Sequence, residues 1–339
     1  PVSPSGQSSS IVLGRLQSGP LSKSLLAFVA DEDGRAVAIV DVGAKRAVGV
    51  VPLPEAPRDL MILADGRLLA TLPQKNRLAV IAVSDDARAT LSCTRETDAE
   101  PISIAATEDG RAVFVSAGWG GTLTRYDAAL ERQGSFALGR DPRQVVLSDD
   151  ERLAFVSHAV GGKVSVVDVE KRAALEPIPV FADPYAPSLD RGGTPLGLTS
   201  MVERAVEGGA RRPPGEGGLR IGTHGMTLVK SAALPGRLLM PQVFVDPGDP
   251  RERADGYGNG GGMVFESEFV IDGTARTGLR PPAGDQTGMM FDDALDSRGG
   301  PLSSRRGCLD PRGAAIDDDT ATLLVACFGA GTGVAYHPP

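Results

Sequence analysis

The chain has 339 residues and a net charge of -8. That length allows two domains, although propellers and other all-β folds often keep more than 200 residues in one. The negative charge argues against a nucleic-acid or anionic-membrane partner, because both need a basic face. No stretch approaches 18 uncharged apolar residues, so no membrane span is predicted.

Short apolar runs recur along the first half of the chain. They lie at 25–29, 68–72, 112–116 and 153–157. The runs begin after positions 24, 67, 111 and 152, so the successive steps are 43, 44 and 41 residues. Arginine occupies three of these positions, and a proline lies ten residues before each: Pro57, Pro101 and Pro142. Such a period is typical of a repeat architecture.

Each apolar run is followed by an alternating segment, at 35–42, 77–83, 122–127 and 163–169, and then by a fourth run such as 46–53 or 132–138. Four short strands per ~40 residues, joined by tight turns, predict an all-β fold, a β-propeller of four-stranded blades. No segment keeps a helical apolar period, which excludes a helical solenoid.

The repeat continues less regularly in the second half. Residues 224–228 with 237–240 match the first two strands of a fifth blade, and residues 311–316 with 323–326 match a sixth. The steps from 152 to 237 and from 237 to 322 are each 85 residues. Each step hides either a degenerate blade, giving seven or eight, or a long loop. We expect loops, with 183–220 and 282–307 as insertions in a single domain over 1–339.

The last blade lacks a fourth strand in this sequence. A propeller must close, because an open blade leaves a bare sheet edge. Two alternatives stay open: residues 9–13 supply the missing strand, or the chain is truncated at its C-terminus and continues beyond Pro339.

The repeated segments share a motif of proline, an apolar pair, Asp-Gly or a similar acidic turn, and a second apolar run. It extends over 57–72, 101–116 and 142–157. This motif resembles that of the YVTN-type bacterial β-propellers. Similar propellers accompany periplasmic c-type cytochrome and di-haem peroxidase-like modules, so the resemblance implies a protein partner or downstream domain of the cytochrome type. The chain lacks Cys-x-x-Cys-His, so no covalent haem is predicted.

Cys308 and Cys327 are symmetric about position 317.5, in the acidic turn 317–319. In a hairpin centred there they would lie opposite each other, within reach of a disulfide. The alternative is a pair of buried free cysteines. A disulfide in a propeller favours the bacterial periplasm or cell surface.

Equivalent residues at the start of the innermost strands should form a ring at the mouth of the channel. By the repeat these residues are Arg58, Ile102, Arg143, His224 and Arg312. Three arginines and a histidine predict an anion site for a carboxylate or phosphate. Alternatively, the arginines pair with Asp59, Asp141 and Asp310, which lie beside them in sequence.

Three further features are candidate sites. His158 and His224 could ligate a metal or haem iron, although lone histidines are usually structural. Asp246, Asp249 and Asp255 lie in a segment that could wrap Ca²⁺, or that is a plain loop. Trp119, flanked by glycines, is either a partner contact or packed across its turn.

Two functions are consistent with the sequence. The first is a non-catalytic periplasmic or cell-surface propeller that binds a protein partner, such as a redox protein. The alternative is a cofactor- or metal-dependent enzyme, either a haem oxidoreductase or a lactonase-like hydrolase, using the channel mouth. We favour the first because no nucleophile elbow or metallohydrolase cluster is present. An arginine-rich ring also repels the cation that propeller hydrolases use.

Overall fold

The computed structural model describes residues 2, 6–182, 220–245, 264–279, 308 and 310–336. Within them the chain forms 26 β-strands and two short 3-10 turns, with no α-helix. None of the described residues belongs to a helix that is long and apolar enough to cross a membrane. The predicted all-β fold class is confirmed.

The first half of the chain forms four antiparallel sheets. The first sheet contains β1 (Ile11–Gly14), β2 (Leu26–Asp31), β3 (Ala36–Asp41) and β4 (Arg46–Pro52). The second contains β5 (Leu60–Ile62), β6 (Leu68–Leu72), β7 (Arg77–Val83) and β8 (Ala89–Glu96). The third contains β9 (Pro101–Ala106), β10 (Ala112–Ala117), β11 (Thr122–Asp127) and β12 (Arg132–Ala137). The fourth contains β13 (Pro142–Leu147), β14 (Leu153–His158), β15 (Lys163–Asp168), β16 (Ala173–Ala174) and β17 (Ile178–Pro179).

The second half contributes two more sheets. The fifth contains β18 (Phe181–Ala182), β19 (Arg220–Thr223), β20 (Val229–Lys230), β21 (Arg237–Val245), β22 (Val264–Asp272) and β23 (Thr277–Leu279). The sixth contains β24 (Pro311–Asp317), β25 (Thr322–Cys327) and β26 (Thr332–Tyr336). In the first three sheets the strands pair in chain order, as in propeller blades.

The chain divides into two compact units. The first comprises Pro1–Val156 with Val166–Leu175, and the second comprises Ser157–Ser165 with Glu176–Pro339. Within the first unit, the first strands of successive sheets pack in order: β1 against β5, β5 against β9, and β9 against β13. This is the packing of neighbouring propeller blades.

Alternation along the strands fills the spaces between the sheets of the first unit. Leu60 and Ile62 belong to an apolar cluster shared with the first sheet, whereas Met61 belongs to one shared with the third sheet. In the third sheet, Val113 joins the second sheet's cluster and Phe114 joins the fourth sheet's. Because successive side chains point to opposite faces, one strand contributes to two cores.

The structure corrects two expectations about strand assignment. Residues 9–13 do not complete the last sheet: Ile11 pairs with Val29, so β1 belongs to the first sheet. Residues 224–228 are not a strand: they connect β19 and β20, which pair with opposite ends of β21. The expected insertion 282–307 lies outside the described residues, as does 183–220 except for Arg220 at the start of β19.

Periodic aspartates have a structural role. Asp41 Oδ1 accepts the Ala44 N–H at 2.9 Å, and Asp168 Oδ1 accepts the Lys171 N–H at 2.8 Å, each at the turn after a third strand. These backbone hydrogen bonds lower the pKa of both carboxyl groups. The repeated aspartate therefore closes a turn rather than marking a site.

Hydroxyl groups connect the second sheet to the third, and the third to the fourth, near the starts of their first strands. Thr71 Oγ1 accepts the Asp59 N–H at 3.0 Å and donates to the Ile102 carbonyl at 3.3 Å. Ser116 Oγ similarly accepts the Ser103 N–H and donates to the Arg143 carbonyl. These links hold the starts of the first strands in a fixed relation within the first unit.

Candidate functional site

Four residues directly before a first strand or its equivalent share a left-handed backbone. They are Glu100, Asp141, His224 and Asp310, with φ of 62, 52, 55 and 53°. His224 is therefore equivalent to Glu100, Asp141 and Asp310, and it does not occupy the ring position that was predicted for it from the sequence repeat. Met226, two residues later, corresponds to Ile102, Arg143 and Arg312. The signal was in the sequence, because Gly225 takes the place of the proline found at 101, 142 and 311.

Two of the three predicted ring arginines pair with a neighbouring aspartate. Arg143 Nη2 lies 2.6 Å from Asp141 Oδ1 in the first unit, and Arg312 Nε lies 2.8 Å from Asp310 Oδ2 in the second. Arg312 also lies over the exposed ring of Phe328, 5.0 Å from its centroid. For these two arginines the structure agrees with the pairing alternative.

Arg58 differs from them. Among the described residues, no side chain forms a hydrogen bond or ion pair with its guanidinium group. Burial lowers the pKa of Arg58, and the charge of Arg143 lowers it further. The carboxyl groups of Glu32, Glu100 and Asp59 act in the opposite direction. The first unit therefore gathers charges of both signs in what we call the rim cluster: Glu32, Arg58, Glu100, Asp141 and Arg143.

The residues that follow the predicted ring positions in the sequence take part in a polar network. Asp59 is buried, and burial raises its pKa to about 6 although hydrogen bonds from Ser8 and Ser103 oppose the rise. Ser8 Oγ lies 3.0 Å from Ser103 Oγ, and Gln144 Nε2 donates a hydrogen bond to Ser8 Oγ at 3.1 Å. Sequence reasoning missed this network, whose signal is that Asp59, Ser103 and Gln144 each follow a predicted ring position.

The turn that carries Trp119 lies beside the rim cluster. The Gly118 N–H donates to the Glu100 carbonyl at 2.8 Å, and the Gly120 N–H donates to the Ala99 carbonyl at 2.9 Å. A Cβ at Gly118 would lie 2.5 Å from Glu100 Oε2 and 3.4 Å from Asp141 Oδ1.

The backbone of the same turn is also crowded at Gly121. A Cβ at Gly121, where φ is +62°, would lie 2.6 Å from the Gly139 carbonyl oxygen. Glycine is therefore required for the backbone to approach so closely. Trp119 is left as the one side chain of the turn 118–121, and 85% of it is exposed. The structure thus agrees with exposure of Trp119 rather than packing across the turn.

His158 and His224 lie in different environments within the second unit. His158 is buried, with Nε2 2.8 Å from Ser165 Oγ, whereas His224 is exposed. No group of three His, Cys, Asp or Glu side chains in the described part of the chain could hold a metal. Asp246, Asp249 and Asp255 lie outside that part, so the Ca²⁺ site remains a prediction.

The predicted disulfide is confirmed. Cys308 and Cys327 are bonded, with Cα atoms 5.0 Å apart. The hairpin is displaced from its predicted centre, because Asp317 pairs with Thr322 and Pro311 pairs with Cys327. Cys308 therefore precedes β24, and the disulfide ties this preceding segment to the end of β25. Cys93 is a free, partly buried cysteine.

Comparison with known proteins supports the fold alone. No model of a known protein family matches the chain, and no curated protein does either. Among solved structures, the hydrazine synthase of Kuenenia stuttgartiensis is similar, with a TM-score of 0.59 and 14% identity over 92% of this chain and 72% of that chain. A chain of the Mitotic Checkpoint Complex has a TM-score of 0.53 and 8% identity over 97% of this chain and 77% of that chain. Both likenesses fit a β-propeller-like fold.

Proposed function

We propose that this chain is a non-catalytic propeller module that binds a protein partner through Trp119 and the rim cluster. The observation that carries the proposal is the 85% exposure of Trp119 on a turn in which Gly121 is sterically required. A tryptophan buries about 150–250 Å² on contact. At roughly 25 cal/mol per Å², that burial is worth about 4–6 kcal/mol before the costs of association.

The surroundings of Trp119 also favour a protein partner. The turn is already ordered by the Gly118 and Gly120 hydrogen bonds, so little conformational freedom is lost on binding. Charges of both signs in the rim cluster can fix the orientation of a complementary surface. Tryptophan and arginine are also the residue types that most often dominate binding energy at interfaces.

The class of partner follows from the family resemblance and from the charge. Propellers of the YVTN type accompany c-type cytochrome modules, and the net charge of -8 favours a partner with a basic face. The disulfide is compatible with the periplasm or cell surface. One similar structure, the Mitotic Checkpoint Complex, is by its name a multi-protein assembly. We therefore propose a cytochrome-type redox protein as the first partner to test.

Photo-crosslinking in the source cells tests where the partner binds. A crosslinking amino acid with an aromatic side chain, which keeps a ring at the contact, replaces Trp119 in one variant and Val50, a 61% exposed residue of β4, in a matched control. We expect a specific adduct from position 119 and none from position 50. Equal capture at both positions, or none at either, contradicts the proposal.

Binding of the purified partner tests the energetic role of Trp119. We expect Trp119→Ala to weaken binding by about 2 kcal/mol or more, roughly 30-fold, and Val50→Ala to leave it unchanged. Trp119 is the single tryptophan of the chain, so a blue shift of its fluorescence reports its burial directly. A stoichiometric metal or a haem spectrum in the purified protein would instead support the enzyme alternative.

A further inference from the structure

Residues 8–10 connect the sheets of the first unit, and we call this segment the strap. The Ser9 N–H donates to the Leu60 carbonyl at 3.1 Å, and the Leu60 N–H donates back to the Ser9 carbonyl at 2.8 Å. The Ala30 N–H of β2 donates to the Ser10 carbonyl at 2.8 Å. Through its backbone, the strap therefore joins the first sheet to the second.

Ser8 extends these connections to the third and fourth sheets. The Ile104 N–H of β9 donates to Ser8 Oγ at 3.2 Å. Gln144 Nε2 of β13 donates to the same oxygen at 3.1 Å and to the Ser8 carbonyl at 3.2 Å. Because two donors already occupy the lone pairs of Ser8 Oγ, its own proton is left for one acceptor. The strap thus contacts all four sheets of the first unit over three residues.

The carboxyl group of Asp59 lies among the hydroxyl groups that hold the strap. It accepts hydrogen bonds from Ser8 and Ser103, whose own hydroxyl oxygens lie 3.0 Å apart. Its Oδ2 is buried and has no hydrogen-bond partner among the described residues. A buried oxygen without a donor is much less favourable in a charged carboxylate than in a neutral carboxyl group. The closed strap therefore disfavours the ionised form of Asp59.

The charges around Asp59 do not remove this effect. Arg58, its neighbour in the sequence, is the charged group that acts on the Asp59 carboxyl, and it acts less than burial does. The packed strands add uncharged groups there, such as Thr71 Oγ1, which accepts the Asp59 N–H. Arg58 is itself acted on by three further charged groups: Arg143, Glu32 and Glu100. Opening of the strap admits water to the carboxylate, so ionisation favours the open form.

From these contacts we infer that the strap is a proton-controlled device, which holds the four sheets together while Asp59 is neutral and opens locally when Asp59 is ionised. The inference goes beyond the proposed function, because it involves neither Trp119 nor a partner. Burial raises the pKa of Asp59 to about 6 in the closed form, from the ordinary 3.8. The strap is therefore held most strongly below about pH 4, and this hold is lost as the pH rises through about 6.

Native-state hydrogen exchange tests the device. The readout is the equilibrium constant for opening at three amides whose hydrogen bonds belong to the strap, those of Ser9, Ala30 and Leu60. We expect these amides to be less protected than those of β10, and their opening to be insensitive to low concentrations of urea, as is typical of local opening. After correction for the intrinsic exchange rate, the opening constant should rise about 60-fold from pH 4 to pH 8.

Two variants separate the roles of the carboxyl group and the hydroxyl group. Asp59→Asn removes the ionisable group and should make the opening constant independent of pH. Ser8→Ala keeps the backbone bonds of Ser9 and Ser10, and should raise the opening constant about fivefold at pH 4. It also removes a hydrogen bond that lowers the pKa of Asp59, so the midpoint of the pH dependence should move above 6. This second variant decides the question if Asp59→Asn folds poorly.

Controls make each outcome decisive. Ser10→Ala removes an exposed hydroxyl group of the same segment and should leave the opening constant unchanged. Trp119→Ala should also leave it unchanged, although it weakens partner binding, so the inference and the proposed function fail separately. Protection and urea dependence equal to those of β10 would mean that the strap opens only with the whole unit, which overturns the inference. A pH dependence that persists in Asp59→Asn, or a Ser8→Ala variant that behaves like Ser10→Ala, overturns it as well.

Discussion

Asp59 shows how a single buried carboxyl group can make stability depend on pH. Its Oδ2 is buried and has no hydrogen-bond partner, and burial raises its pKa to about 6 from the ordinary 3.8. The folded protein therefore binds this proton more tightly than the unfolded chain does. The resulting stabilisation is fully present below about pH 4 and is lost as the pH rises through about 6.

Asp59→Asn removes this titration. A pKa difference of about two units corresponds to about 3 kcal/mol, so we expect the wild-type unfolding free energy, relative to the variant, to fall by about that amount between pH 4 and pH 7. Urea unfolding followed by backbone circular dichroism measures the difference. Asp109→Asn, at an exposed carboxyl whose pKa is lowered by a backbone hydrogen bond from Arg111, is the control and should not reproduce this fall. A difference that is constant with pH contradicts the assignment.

In the turn between β10 and β11, steric crowding limits which residues fit the backbone. Gly118, Gly120 and Gly121 each lie against backbone or side-chain atoms of the segments around 98–100 and 139. The sequence Gly-Trp-Gly-Gly therefore combines a crowded backbone with an unobstructed indole. Comparable turns at Pro73–Lys75 and Phe328–Ala330 are 3-10 in form and end in a left-handed residue, Asn76 or Gly331.

Gly121→Ala tests this steric account. The variant combines a left-handed alanine, which costs about 1–2 kcal/mol, with a Cβ placed 2.6 Å from the Gly139 carbonyl oxygen. We expect destabilisation by more than about 2 kcal/mol, measured by chemical unfolding. Gly110→Ala has a similar φ of +69° but its nearest neighbour is at 3.4 Å, so it should cost only about 1 kcal/mol. Equal losses in the two variants would exclude a clash at Gly121.

At the level of the whole molecule, the disulfide lies in the second unit and Trp119 lies in the first. The cysteines are separated by 19 residues, a loop whose closure is worth about 3 kcal/mol. We expect reduction to lower the urea midpoint of the backbone amides of the second unit, measured by hydrogen exchange, while the midpoint of the amides of the first unit stays in place. The apolar clusters agree with this expectation, because the cluster that contains Cys308 and Cys327 consists, within the described part of the chain, of residues of the second unit. A shift of both midpoints contradicts separate unfolding.

The strands were predictable because period-two alternation and Asp-Gly turns act locally. Strands β6, β10 and β14 begin where the repeat placed them, after Arg67, Arg111 and Arg152. The site was less predictable, because it depends on backbone conformation and on contacts between sheets. The left-handed backbone of His224 changes its alignment by two residues. Only coordinates show that Arg143 pairs with Asp141, whereas Arg58 forms no ion pair with any residue that the structure describes. The role of Ser8 required knowledge of which distant strands converge on it.

That convergence has a consequence for the order of folding. Ser9 exchanges backbone hydrogen bonds with Leu60, and Ser8 contacts Ser103 and Gln144, the last 136 residues further along the chain. During synthesis Ser8 and Ser9 leave the ribosome well before the last of these neighbours, which emerges only after β13 begins. At about 5–20 residues per second, this interval lasts roughly 7–27 seconds. The set of contacts around Ser8 is therefore completed only after the segment between residues 8 and 144 has been made.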